Sequence, residues 1–296
     1  MNRTEQVCPP NAPGWVYLNG RIVRRDEARV SPFDRGFLYG DGFFETTRII
    51  KGVPLFLDRH LARVASSCRE TGFGCELDVG GLSAGVRQLI EANRVQEGYL
   101  RVTVSRGLHG GDLSALPAQA PTVFAEARPM ALSPLDAPPS LVLARSPYRR
   151  DERSPVVRHK SLSYQLNVLA LAEARRRGAD ELFFLNTKGQ LTEGATANLF
   201  FVTGGVVRTP DVSCGLLPGI TRQVVLELCV EAAVPTGAGF YGEDDLRAAD
   251  EVFCTNSLRG LMSVARILDY PEKAFAACPV TSRLRARYAE LACRVP

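Results

Sequence analysis

The stretch HKSLSYQLNVLALAEARRRGADELFFLNTKGQLTEGATANLF, residues 159–200, combines a helical pattern with two strand patterns. Apolar residues recur at helical spacing from about Ser163 to Arg177, and the runs ELFFLN and ANLFFV that follow are typical of buried strands. Ser161 and Ser163 can cap the start of this helix. A helix followed closely by strands predicts an α/β lobe.

The segments before this stretch repeat both kinds of element. Apolar runs flank Asn19-Gly20 and Lys51-Gly52, which predicts two β-hairpins. The run DRHLARVASSCRETG predicts a helix with Asp58 at its N-cap and its end at Gly72. A second helix, SAGVRQLIEANR, and two strands, YLRVTVSRG and PTVFAEAR, follow it.

The Pro-rich segment PMALSPLDAPPS divides the chain into two parts. The strands LVLARS and EVFCTN and the helical segment TSRLRARYAELACR extend the pattern beyond it. We therefore predict two α/β (α+β) lobes with mixed sheets. The predicted parts are a flexible tail (1–14), a small N-terminal α/β domain (15–128), a linker (129–140) and a large C-terminal domain (141–296).

Composition excludes several classes of protein. The 296 residues are 45% hydrophobic and 23% charged, with a net charge of +4, as in an ordinary globular protein. The sequence contains no run of about 18 apolar residues, so no membrane span is predicted. It also contains no basic tract interleaved with aromatic residues, so nucleic-acid binding is not predicted. Eight cysteines without a C-x-x-C pair, and only three histidines, argue against a metal site. Scattered thiols indicate a reducing, cytoplasmic location.

One lysine stands apart from the others. The chain has four lysines. Lys51 and Lys188 lie beside glycine in turns, and Lys273 lies in the polar segment YPEKAF, so each is interpreted as a solvated charge. Lys160 instead precedes the predicted helix, where it is either another solvated residue or a functional amine.

A glutamate and a second helix start complete the pattern. Glu193 follows the Lys188-Gly189 turn and enters a strand with apolar neighbours, where a carboxylate needs a partner. That partner is either a local group, from Thr192, Thr196 or Asn198, or a cationic ring nitrogen of a ligand. The segment GLLPGITRQVVLEL starts a helix at about Gly219, with backbone N–H groups that can bind an anion. A lysine, a carboxylate and an anion cradle are the parts that a pyridoxal phosphate enzyme needs.

The chain resembles the fold-type IV pyridoxal-phosphate enzymes, which include branched-chain and D-amino-acid aminotransferases and aminodeoxychorismate lyase. The resemblance spans about Val16 to Val264. It rests on the ordered motifs YGDGFFETTR, HLAR, YLRVTVSRG, KSLSY, LTEGATANLF, LPGITR and EVFCTNSLRGLMSV. It implies the two-lobed fold-type IV architecture, with pyridoxal 5'-phosphate bound mainly by the larger C-terminal domain.

The resemblance also implies roles for the matching residues. Lys160 would form the Schiff base and shuttle the proton, Glu193 would pair with the pyridine nitrogen, and Tyr164 would bond the phenolic oxygen. The phosphate would be bound by Arg63, Ile220, Thr221 and Ser257. The substrate would be faced by Tyr39, Arg101, Asn256 and Leu258. The loop after Arg106 would reach the active site of a neighbouring subunit, which implies a homodimer or a higher oligomer.

The family contains two reactions between which the sequence must choose. We predict an aminotransferase that moves an amino group from an amino acid to a 2-oxo acid through a pyridoxamine intermediate. The alternative is aminodeoxychorismate lyase, which converts 4-amino-4-deoxychorismate to 4-aminobenzoate and pyruvate.

Asn256 favours the lyase, unless it only caps a turn. The loop LHGGD lacks the basic residue of the lyases, and of the arginine-histidine pair of D-amino-acid members it has only His109. Ser263-Val264 replaces a common Pro-Val.

Overall fold

The computed structural model describes residues 14–74, 76–108, 113–114, 120–275 and 277–294. His109 and most of the loop after Arg106 therefore lie outside the described residues, as does the predicted tail except for Gly14. The chain forms two compact units. Unit 1 contains Met1–Leu132, His159–Ser163 and Val295–Pro296, and unit 2 contains Ser133–Arg158 and Tyr164–Arg294.

Unit 1 is a six-stranded sheet with helices. Its strands, in the order β2-β1-β6-β5-β3-β4, are antiparallel to their neighbours. They are β1 (Trp15–Leu18), β2 (Arg21–Arg24), β3 (Gly42–Ile50), β4 (Val53–Pro54), β5 (Glu97–Ser105) and β6 (Thr122–Pro129). The helices are α1 (Arg35–Tyr39), α2 (Leu57–Glu70) and α3 (Val79–Ala92).

The turn residues of unit 1 behave as their types predict, with one exception. The hairpin at Asn19-Gly20 is confirmed, and both residues have positive φ angles of 48° and 86°. The prediction that Asp58 caps α2 is wrong. Phe56 occupies the N-cap position with a φ of 52°, and Asp58 lies in the first turn, where its charge still suits the helix dipole.

The segment His159–Ser163 belongs to unit 1. Its backbone pairs with the start of β3. Phe44 N donates to Lys160 O at 2.9 Å, and Leu162 N donates to Gly42 O at 2.9 Å. The His159 ring also lies 3.0 Å from the Ser67 hydroxyl of α2 and packs against Phe43.

Unit 2 is an eight-stranded mixed sheet in the order β12-β11-β10-β13-β14-β7-β8-β9. Its strands are β7 (Leu141–Arg150), β8 (Glu181–Asn186), β9 (Leu191–Gly194), β10 (Asn198–Thr203), β11 (Val206–Pro210), β12 (Thr236–Gly239), β13 (Glu251–Asn256) and β14 (Gly260–Ile267). Because β9 also pairs with β10, through Glu193 and Asn198, six of these strands close into a ring.

The helices of unit 2 are α4 (Gln165–Arg176), α5 (Ile220–Glu231), α6 (Glu243–Ala248) and α7 (Pro279–Cys293). The prediction that Ser161 or Ser163 caps α4 is wrong. The N-cap position is Tyr164, without a side-chain bond, and the Ser161 hydroxyl instead accepts from the backbone N–H of Ser163. No helix among the described residues is long and apolar enough to cross a membrane.

Candidate active site

In unit 1, Lys160 lies beside an aromatic ring. Its backbone oxygen accepts from Phe44 N, which fixes the segment against β3, and its Nζ lies 4.6 Å from the centroid of the Phe44 ring. The Phe44 side chain is buried. A cation at this distance from a ring face is attracted by the ring electrons. The Lys160 amine is therefore positioned by the sheet and differs from the solvated lysines in turns.

Arg101 also lies against the Phe44 ring. It lies on β5, opposite Thr46, and its guanidinium carbon is 4.0 Å from the centroid of Phe44. Phe44 and Thr46 are two residues apart on β3, so Arg101 and Phe44 lie on one face of the sheet. The structure thus brings together two of the predicted site residues, Lys160 and Arg101. A guanidinium on this face can bind a carboxylate through two parallel hydrogen bonds.

Arg63 lies in α2 and contacts the opposite face of β3. Its Nε and Nη2 donate to the two carboxylate oxygens of Glu45, each at 2.7 Å, and His60 Nδ1 lies 2.7 Å from Glu45 Oε2. Burial alone would raise the pKa of Glu45, but Arg63 and His60 outweigh it, and the pKa is lowered to about 2. Glu45 is therefore ionised, and sequence reasoning missed it. A signal was available, since Glu45 is an acid within the apolar run GFFETT.

Tyr39 lies at the end of α1 and is nearly half exposed. The Arg35 guanidinium lies 5.6 Å from the centroid of its ring. Arg35 and Arg106 both donate to Asp41 Oδ2 at 2.8 Å. Burial would raise the pKa of Asp41, but the two arginines lower it overall. Arg35 also donates to Leu113 O, so this cluster links α1 to the loop that follows Arg106.

In unit 2, Glu193 lies where the ring of strands closes. The carboxylate is buried and lies 3.3 Å from Nη2 of Arg150. Its Oε2 accepts from Asn198 Nδ2 and from the backbone N–H of Leu217, each at 3.2 Å. Of the local partners that the sequence offered, Asn198 is used, whereas Thr192 donates to Phe184 O.

The arrangement around Glu193 stabilises a negative charge and suits a protonated ring nitrogen as a further partner. Sequence reasoning missed both Arg150 and Leu217 as contacts of this carboxylate. Arg150 ends β7, and Leu217 lies in the segment just before α5. Neither position has a local signal, because the contacts form only when distant strands meet.

Tyr164 lies beside the segment that follows Glu193. Its hydroxyl donates to Ala195 O at 2.9 Å, and Asn167 Nδ2 donates to the same oxygen at 2.6 Å. Burial raises the pKa of Tyr164 to about 12, so the phenol keeps its proton. Since Asn167 also satisfies the Ala195 carbonyl, the Tyr164 proton can turn to another acceptor without leaving that carbonyl unpaired.

The start of α5 fits a phosphate group. Gly219 is its N-cap, with no side-chain cap, so the first N–H groups of Ile220 and Thr221 have no capping partner. The Thr221 hydroxyl is buried and has no hydrogen-bond partner in the described structure. A Cβ at position 219 would lie only 2.0 Å from Asn198 Oδ1, so glycine is required for this approach. Asn198 therefore links the α5 start to Glu193.

The turn between β13 and β14 contains the remaining candidates, Asn256, Ser257 and Leu258, all half-buried. The Asn256 side-chain oxygen accepts from the backbone N–H groups of Leu258 and Arg259, at 3.1 Å and 2.9 Å. This is the turn-capping role that the sequence left open as an alternative. No group of three or more described His, Cys, Asp or Glu side chains is placed to bind a metal ion.

Comparisons with known proteins identify chains that are similar to this one. Residues 42–267 match the family model of the class IV aminotransferases. A protein of Methanocaldococcus jannaschii, provisionally named a branched-chain-amino-acid aminotransferase, is 36% identical over 85% of this chain and 87% of its own length. The aminodeoxychorismate lyase of Bacillus subtilis is 30% identical over 85% of this chain and 86% of its own.

A solved structure has the same fold. The branched-chain amino acid aminotransferase of Thermobaculum terrenum, in its pyridoxal phosphate form, superimposes with a TM-score of 0.85 at 27% identity. The match covers 95% of this chain and 94% of that one.

Proposed function

This chain belongs to the class IV aminotransferases, and we propose that it transfers the amino group of an amino acid to a 2-oxo acid. The membership confirms the resemblance that the sequence motifs indicated, and the two mixed sheets match the fold-type IV architecture. The cofactor is pyridoxal 5'-phosphate, as it is in the Thermobaculum terrenum enzyme.

The catalytic roles proposed for Lys160 and Glu193 follow from their surroundings. When bound, pyridoxal phosphate supplies a ring that accepts the electron pair of the substrate's Cα–H bond. The Lys160 amine would attach the cofactor and then move the proton from the substrate Cα. Glu193, with Arg150, Asn198 and Leu217 around it, would hold a proton on the ring nitrogen.

Several donors are proposed for the phosphate. The unpaired Thr221 hydroxyl, the N–H groups of Ile220 and Thr221, and the Ser257 hydroxyl are the proposed donors of unit 2. Arg63 is the proposed donor of unit 1. A dianion needs several convergent donors, and a guanidinium with a helix N-terminus provides them.

The substrate would be recognised mainly by unit 1. Arg101 would bind a carboxylate, since the neighbouring Phe44 ring keeps its guanidinium in place. Tyr39 and Leu258 would contact the remainder of the substrate. Tyr164 would turn its hydroxyl from Ala195 to the phenolic oxygen of the cofactor, because Asn167 keeps the Ala195 carbonyl bonded.

The turn at Asn256 favours transamination over the lyase reaction. Two backbone N–H groups already occupy its side-chain oxygen, so this oxygen is poorly placed to accept from a substrate hydroxyl. The main sequence argument for the lyase is thereby weakened. The lyase stays the second candidate because the Bacillus subtilis lyase is 30% identical to this chain.

A half-reaction screen tests the proposal. Purified enzyme with bound cofactor is mixed with single L- and D-amino acids, and the absorbance of the cofactor is followed. A transaminase converts the cofactor to its amine form with one or more amino acids and returns it with a 2-oxo acid. A separate assay measures 4-aminobenzoate formed from 4-amino-4-deoxychorismate. Release of 4-aminobenzoate, together with no conversion by any amino acid, would assign the lyase instead.

We also propose that the chain forms a homodimer through an apolar surface of unit 1. This surface consists of Phe33, Phe37, Leu108 and Leu113, each more than 60% exposed. Its residues lie on two neighbouring segments, because Asp34 bridges to Leu108 and Arg35 donates to Leu113 O. Large exposed apolar patches usually mark protein contacts. Sedimentation should give a dimer that Phe37→Asp dissociates and that Val168→Asp, at another exposed apolar residue, leaves intact.

A further inference from the structure

We propose that Glu45 is a positioning residue that holds the Arg63 guanidinium in the orientation needed to bind the cofactor phosphate. This inference rests on the proposed function, in which Arg63 is a phosphate ligand. Glu45 lies within the motif YGDGFFETTR, but the resemblance implies no role for it. The proposal comes from the contacts of its carboxylate in unit 1.

The two hydrogen bonds fix the guanidinium plane. Nε and Nη2 of Arg63 each lie 2.7 Å from a different oxygen of Glu45, which is the bidentate geometry that suits a carboxylate. The edge of the guanidinium with Nη1 is then turned away from Glu45. An arginine side chain has many rotamers, and restricting them before a ligand arrives lowers the entropy cost of binding.

The carboxylate is itself held in place. His60 precedes Arg63 by three residues on α2, so both project from one face of the helix. His60 Nδ1 lies 2.7 Å from Glu45 Oε2, and His60 and Glu45 are 1% and 3% exposed. Glu45 projects from the face of β3 that packs against α2, because it alternates with Phe44, which contacts Lys160 on the other face.

A purely structural role explains this cluster less well. A buried ion pair loses hydration that its attraction only partly offsets, and apolar residues of similar size often stabilise a core as well or better. The cluster also leaves His60 Nε2 buried without a hydrogen-bond partner in the described structure, which costs stability. Retaining three polar groups here is consistent with a gain in binding.

The test compares two ligands on the enzyme freed of its cofactor. Pyridoxal 5'-phosphate and pyridoxal differ only in the phosphate. The dissociation constant of pyridoxal divided by that of pyridoxal 5'-phosphate, called the ratio below, therefore measures the phosphate contribution. Glu45→Gln keeps the size of the side chain but removes the charge and one acceptor. We expect the ratio to fall on the order of 10-fold, since a charged bidentate bond is lost, while pyridoxal affinity stays within about twofold. A structural role would instead weaken both ligands equally.

Three further variants make the result decisive. Arg63→Ala must lower the ratio at least as much as Glu45→Gln. Glu251→Gln removes another buried carboxylate, which caps α7 through Val280 and Thr281, and should leave the ratio unchanged. Glu45→Asp retains the charge but shortens the side chain, and should also lower the ratio. This variant decides the question if Glu45→Gln does not fold.

The possible failures are distinguishable. If Arg63→Ala lowers the ratio and both Glu45 variants keep it within twofold of wild type, Glu45 has no positioning role and the proposed function stands. If Arg63→Ala leaves the ratio unchanged, Arg63 is not a phosphate ligand. In that case the phosphate site of the proposed function is wrong, and the role of Glu45 is wrong with it.

Discussion

The Arg150 guanidinium lies 3.3 Å from the Glu193 carboxylate, at the point where β9 meets β10. Arg150 also packs over the Phe184 ring, with 4.6 Å from its guanidinium carbon to the ring centroid. The arginine is thus fixed, and its charge favours the ionised form of Glu193. The carboxylate that we assign to the cofactor ring nitrogen therefore has a permanent cationic neighbour.

Arg150→Met should lower turnover without releasing the cofactor. Methionine keeps the packing on Phe184 but removes the charge that stabilises the Glu193 carboxylate. We expect a turnover loss of about 10-fold, because one charged contact near the reacting group is lost. Arg149→Met, one residue earlier on β7, is the matched control and should stay near wild-type turnover. Equal turnover in all three proteins would show that Arg150 does not support Glu193.

Lys160 should carry the cofactor. Reduction of the enzyme with borohydride, followed by proteolysis and mass spectrometry, should place the pyridoxyl label on the Lys160 peptide. The peptides of Lys51, Lys188 and Lys273 serve as internal controls. A label on any of these three lysines would contradict the assignment.

Glu45 should make the protein sensitive to acid. Its pKa is lowered from 4.5 to about 2 in the folded protein, so its contribution is complete above about pH 4.5 and is lost as the pH falls toward 2. The shift corresponds to about 3 kcal/mol of unfolding free energy. Urea unfolding between pH 6 and pH 3 should therefore show a smaller pH dependence in Glu45→Gln than in wild type. If the free energy of unfolding depends on pH equally in both proteins, Glu45 is not held ionised in the folded protein.

The elements that the sequence predicted well have strong local signals. The hairpins form at Asn19-Gly20 and Lys51-Gly52, where Asn19 and both glycines suit the positive φ angles of the turns. Helix α2 ends near Gly72 as predicted. The strand β14 and the short helices α1 and α6 were missed, because each is too short or too continuously apolar to show a clear period.

The site was predictable in its parts but not in its contacts. Lys160, Glu193 and the α5 start stand out locally by residue type and position. Arg150, which pairs with Glu193, is recognisable only in the folded structure. Glu45 has a local signal as an acid in an apolar run, but its pairing with Arg63 is evident only in the structure. The cap assigned to Asp58 failed for a local reason, since α2 begins at Leu57 and Phe56 takes the N-cap position with a positive φ angle.

Arg101 should govern substrate binding and not cofactor binding. Arg101→Met removes the charge but keeps an unbranched side chain against Phe44. We expect the Michaelis constant of the amino acid substrate to rise about 10-fold or more, because a charged hydrogen bond to a carboxylate is lost. The cofactor absorbance spectrum should not change. Arg128→Met, at a residue paired with Glu126 in the same unit, is the control and should leave the Michaelis constant unchanged.

Glu193 should control the chemistry and not the affinity for the cofactor. Glu193→Gln preserves the shape of the side chain and an oxygen that can accept from Asn198 and Leu217, but it removes the charge. A neutral amide no longer favours a proton on the ring nitrogen that faces it, and Arg150 then adds an uncompensated positive charge beside it. Both effects make the ring a weaker electron acceptor when Lys160 removes the substrate proton.

We therefore expect turnover of Glu193→Gln to fall on the order of 100-fold or more, which corresponds to a few kcal/mol in the barrier. The cofactor should stay bound, since Lys160 and the phosphate ligands are unchanged, and its absorbance band should shift. Glu181→Gln is the control for a second buried carboxylate of unit 2, which accepts from Ala195 and Thr196. Glu181→Gln should change the free energy of unfolding more than it changes the absorbance spectrum of the cofactor. A Glu193→Gln enzyme that retains cofactor and turns over within a few-fold of wild type would mean that Glu193 serves only to pair with Arg150 where the strands close.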